Sequence, residues 1–163
     1  MVTVFLHSDE GSPFFYPIEG GSANDTTTSM ATRSTTRGAE VTQHLITHLV
    51  EWFQRNVPAG ISISVDSDGL FSVVDEGGFA VSVDTQSLMD QPGFDLRQGA
   101  ETALHSVLNA VQDFVSEHRA EPWPSSSRGF AMPRVEFDSS GQVQAGYFVD
   151  GWVLRMPDFA LDP

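Results

Sequence analysis

The chain has no cysteine, which excludes disulfides, thiolate nucleophiles and cysteine metal sites. It also has no lysine. All eight basic residues are arginines, set against 22 acids for a net charge of −14. A nucleic-acid backbone demands a basic footprint, so this balance argues against direct nucleic-acid binding. It favours solubility and a basic protein partner. Charged residues are scarce at 18%, but hydrophobic residues reach 40%, a balance that fits a globular chain rather than a disordered one. No apolar run approaches the roughly 20 residues that cross a bilayer, so no membrane contact is expected. The stretch Met1-Val2-Thr3-Val4-Phe5-Leu6-His7-Ser8 has neither a basic region nor a long apolar run. No signal peptide is therefore expected, and the expected location is cytoplasmic.

Catalytic motifs are missing as well. There is no Gly-x-Ser-x-Gly elbow, no Walker loop and no Gly-x-Gly-x-x-Gly after a strand, so no activated serine or phosphate cradle is predicted. Asp66-Ser67-Asp68-Gly69 opens like a calcium loop, but Leu70, Phe71 and Gly77 stand where an oxygen ligand, a glycine and a glutamate are needed. A hairpin turn is the better reading. His44 and His48 lie one helical turn apart, on one face with Glu40 and Glu51. Two imidazoles and a carboxylate could converge there on a metal ion. The sequence between them, Leu45-Ile46-Thr47, lacks the glutamate of a metalloprotease. These histidines are the metal candidates of the chain. No cofactor is expected, and the protein is read as non-catalytic.

What is present is strong local patterning. Residues 1–19 hold a short β-like run and an apolar patch between Pro13 and Pro17, and 20–38 form a Ser/Thr/Gly-rich linker or long loop. A single domain is predicted over 39–163. Its first helix carries the stripe Val41, Leu45, Ile46, Leu49, Val50 and Phe53, and stops at Pro58 and Gly60. Three strands follow, near Ile61–Val65, Leu70–Val74 and Phe79–Val83, separated by turns of about four residues that predict an antiparallel meander. Thr85 to Gly93 reads as a loop.

The clearest pattern runs from Phe94 to Pro124. Asp95 and Gln98 form a capping box. Ala100, Ala103, Leu104, Val107, Leu108, Val111, Phe114 and Val115 make one apolar stripe, and Pro122 and Pro124 forbid continuation. The opposite face, with His105, Asn109 and Gln112, carries no formal charge. A partner covers such a face at lower desolvation cost than a charged one. Trp123, held between two prolines, either seals the helix end or anchors a partner. Alternation then predicts strands at Pro133–Asp138, Val143–Val149 and Trp152–Met156, with Asp150-Gly151 as a hairpin turn.

The expected fold is therefore α+β: two amphipathic helices on one face of an antiparallel sheet of five to six strands, in the order α-βββ-α-ββ(β). This order is similar to that of type III secretion chaperone-like folds and of many small immunity and adaptor proteins, by topology only. The expected function is binding: an immunity or antitoxin-like inhibitor, or a secretion-type chaperone or adaptor, acting as monomer or homodimer on a basic or partly unfolded protein. The expected partner-binding residues are Thr47, His48, His105, Asn109, Gln112 and Trp123. The alternatives are a structural subunit of a phage or secretion assembly, a DNA mimic, or a small metal-binding enzyme using His44 and His48.

Overall fold

The computed structural model describes residues 43–161. The expected N-terminal strand, the apolar patch and the 20–38 linker lie outside the described residues. Within them the chain is α+β. Helix α1 covers 43–54. Then come β1 (Ile61–Val65), β2 (Leu70–Asp75), β3 (Ala80–Asp84), a short helix α2 (Thr85–Met89) and the long helix α3 (Leu96–Arg119). Strands β4 (Met132–Phe137), β5 (Gln142–Phe148), β6 (Trp152–Arg155) and β7 (Phe159–Ala160) complete the order.

The strands form two sheets, not the single expected one. β1-β2-β3 is an antiparallel meander, and β4-β5-β6 is another, with β7 also pairing on β5. Short turns specify the pairing inside each meander, but nothing in an alternating pattern says whether two meanders share an edge. Here the edge of β4 is occupied. Pro133 has no N–H to offer, and the Arg97 guanidinium donates to the Phe137 carbonyl at 3.0 Å while lying over the Phe137 ring. Both are devices that blunt strand edges.

Both long helices bridge the sheets. α3 packs against β2 and β3 on one side and β4 and β5 on the other. α1 sets Phe53 against Phe71 of β2 at 6.1 Å and Trp52 against Tyr147 of β5 at 6.4 Å. The result is one continuous core with Leu45, Phe53, Phe71, Leu104, Leu108 and Tyr147 fully enclosed. The α3 stripe is buried as expected, and both arms of its capping box form. The helix ends at Ala120, in the left-handed conformation, two residues before the first proline.

The segment expected as a loop after β3 contains α2. Asp84 caps it, accepting the Ser87 N–H at 2.9 Å and the Ser87 hydroxyl at 2.6 Å. These bonds, the hydroxyl foremost, hold the Asp84 carboxyl below its ordinary range. α2 lies directly on α3: a Cβ on Gly99 would sit 2.5 Å from the Met89 carbonyl oxygen. Among the described residues, no helix is long and apolar enough to cross a membrane.

Candidate functional site

The structure disperses the expected partner face. Gln112 is not outward. It is 3% exposed, and its Nε2 donates to the carbonyls of Trp123 at 3.0 Å and Ala131 at 2.6 Å. Gln112 follows Leu104 and Leu108 at four-residue steps, so the helical period carries it into the core, where the chain past the helix supplies acceptors. Trp123 is also buried, at 8%, with its ring against Tyr147 at 5.2 Å and its N–H donating to the Ser116 hydroxyl. It seals the helix end and, so buried, presents no ring for a partner to grip. The remaining members stay at the surface. Asn109 is exposed, donating to the His105 carbonyl one turn back, and His105 is half-buried. Thr47 is exposed and bonds to the Gln43 carbonyl.

His44 and His48 do come together, with ring centroids 6.1 Å apart, but around an aromatic side chain. Each ring packs on Phe159 of β7, at 5.2 and 5.3 Å. Glu40 lies outside the described residues, and Glu51 pairs with Arg55 at 3.8 Å. Among the described residues, no group of three or more histidine, aspartate or glutamate side chains is placed to hold a metal ion.

A shallow groove of about 390 Å³ runs between the start of α3 and β4, lined by Arg97, Glu101, Glu136, Phe137, Asp138 and Gln144. Its polar groups are largely committed. Arg97 holds the strand edge, Glu136 pairs with Arg134, and Asp138 accepts the N–H groups of Ser140 and Gln142 in its turn. The Ser140 hydroxyl and these amides hold the Asp138 carboxyl below its ordinary range.

The two sheets differ in charge. Between Arg55 and Arg97 there is no basic residue, but there are seven acids: Asp66, Asp68, Asp75, Glu76, Asp84, Asp90 and Asp95. That stretch is the first sheet with α2. The second sheet carries Arg134 and Arg155, each lying over an aromatic ring, Phe148 and Trp152 respectively, and each paired with an acid, Glu136 and Asp158. The signal for this division is a gap in the arginine spacing, which the net charge alone does not reveal.

At the centre of the acidic half is a face of mostly small residues, with Leu70 at its end beside Asp84. The register sets Ser64, Ser72 and Ser82 in one row and Ser62, Val74 and Ala80 in the next, and the hydroxyls of Ser72 and Ser82 lie 2.8 Å apart. Its rim is acidic. Asp66, Asp75 and Asp84 accept backbone N–H groups at turns or the α2 cap. Asp68 and Glu76 are exposed and receive no backbone N–H. Comparison with protein-family models, with curated proteins and with solved structures found no match.

Proposed function

We propose that this chain is a non-catalytic protein-binding protein that takes a basic partner on its first sheet, as an immunity-type inhibitor or a secretion-type chaperone would. The observation that carries this reading is the basic-free stretch from residue 56 to 96, folded into one sheet and one short helix with seven acids. Charge of a single sign concentrated on one side steers and holds a partner of opposite sign more effectively than the same charge dispersed. The face inside the rim is mostly small or short side chains, with the exposed Leu70 at one end, so a partner can approach it closely without displacing long flexible ones.

The test is titration of the full chain with a fluorescent arginine-rich peptide. Association is expected to weaken steeply as ionic strength rises. It is expected to fall in the double variant Asp68→Arg/Glu76→Arg and to hold in Glu51→Arg/Glu136→Arg, which changes the net charge equally but away from the first sheet. Equal losses in both variants would move the interface elsewhere. Failure of the peptide to bind even at low salt would overturn the basic-partner reading.

A further inference from the structure

We infer that the outer edge of β3 accepts an extended, basic segment of the partner as an additional strand. The inference rests on the basic-partner reading and supplies the binding mode. In an antiparallel strand, alternate residues turn their N–H and C=O groups to opposite neighbours. Asp75 donates to the Phe79 carbonyl and Thr85 to the Gly69 carbonyl. These two bonds set the parity: Phe79, Val81, Val83 and Thr85 face β2, and Ala80 and Ser82 turn their backbone groups outward. Among the described residues nothing bonds to those outward groups.

The outer edges of β1 and β4 are partly occupied. On β1, Ile61 donates to the Pro58 carbonyl and the Ile63 carbonyl accepts from Gln54 at 3.3 Å. On β4, Pro133 and Arg97 close the edge. The β3 edge has neither proline nor any basic residue in its sequence, so it is open to strand addition, and it lies in the acidic half, whereas the β6 edge carries Arg155.

Its side chains describe the segment that fits. On the inward side Val81 and Val83 are only half-buried, and Phe79, stacked on Phe114 at 5.7 Å, remains 60% exposed. Apolar residues of an added strand would complete that cover. On the outward side Ala80 and Ser82 are small, and acids stand at both ends of the strand. A segment alternating apolar and basic residues matches both faces, because strand side chains alternate with period two.

The experiment uses the full chain and three peptides of about eight residues, a common strand length. One alternates valine and arginine, one carries the same residues in two blocks, and one is the alternating peptide N-methylated at every second residue. The expected result is that the alternating peptide slows amide exchange at Ala80 and Ser82 by about tenfold or more, and that the other two bind at least about tenfold more weakly. If all three bind equally without protecting those amides, strand addition is overturned while the acidic docking half stands. If none binds, both readings fall. If the two amides are already protected in the free chain, the edge is covered and strand addition is overturned. Ser82→Pro, which removes the outward N–H and the hydroxyl contact to Ser72 but no ladder bond to β2, is expected to abolish binding of the alternating peptide, and Ser82→Ala, which removes the hydroxyl alone, is expected to leave it intact.

Discussion

Gln112 and Tyr147 are polar residues that hold the core together through single atoms. Replacing Gln112 with leucine keeps the volume but strips the donor from the carbonyls of Trp123 and Ala131. The expected loss is roughly 1–3 kcal/mol, the cost of leaving buried acceptors unsatisfied, measured as a lower urea midpoint. The Tyr147 hydroxyl donates to the Leu108 carbonyl at 2.8 Å. Burial, with a smaller contribution from the Asp113 charge, pushes its ionisation well above the ordinary value of 10.0. A raised value in the folded state means the associated stability is complete below about pH 10 and is lost as pH climbs toward the folded value. Tyr147→Phe is expected to cost about 1 kcal/mol at neutral pH and to flatten that alkaline decline, read from urea midpoints between about pH 8 and pH 11. Both residues bear on how legible the sequence was. The period of α3 already placed Gln112 on the Leu104–Leu108 ridge, but its polarity was given more weight than its position. The acceptors that reconcile the two come from residues 11 and 19 positions on, a closure no local pattern reveals.

At the scale of elements, local chemistry was a good guide wherever it was decisive. The α3 capping box, its buried stripe, the hairpin turns and the strand alternation all appear as expected. α2 was missed because five residues cannot display a helical stripe, although Asp84 with Ser87 three residues later is a start signal. Asp84→Ala is expected to cost about 1 kcal/mol at neutral pH. Because the Asp84 carboxyl is lowered in the fold, its contribution is present above the ordinary aspartate range and disappears as pH falls through the lowered value. The variant should therefore match the parent in strong acid, as judged by circular dichroism across an acid titration. Gly99 sets two effects against each other. Alanine favours a helix by about 1 kcal/mol over glycine, but here its methyl would meet the Met89 carbonyl at 2.5 Å, and that neighbour is backbone. Gly99→Ala is expected to destabilise by about 1–3 kcal/mol, with a lower melting temperature as the readout. The division into two sheets was not legible, because alternation does not say whether two meanders share an edge, and the contact of Arg97 with the edge of β4 spans 40 positions.

For the whole molecule, charge matters through its distribution. The total of −14 says that the chain repels copies of itself. The stretch from residue 56 to 96, which has no arginine, says where that repulsion is concentrated. A strand edge without proline, lysine or a covering side chain ordinarily invites pairing between identical molecules. Two β3 edges brought together would also bring together two sets of Asp68, Glu76 and their neighbours, with no arginine between them. The acids thus act as a solubility filter: the open edge stays available to a cationic strand and closed to its own duplicate. Salt should weaken the filter and leave the edge in place. Raising ionic strength is expected to produce concentration-dependent association with added β signal, detectable by light scattering and infrared spectroscopy, and Ser82→Pro is expected to suppress it.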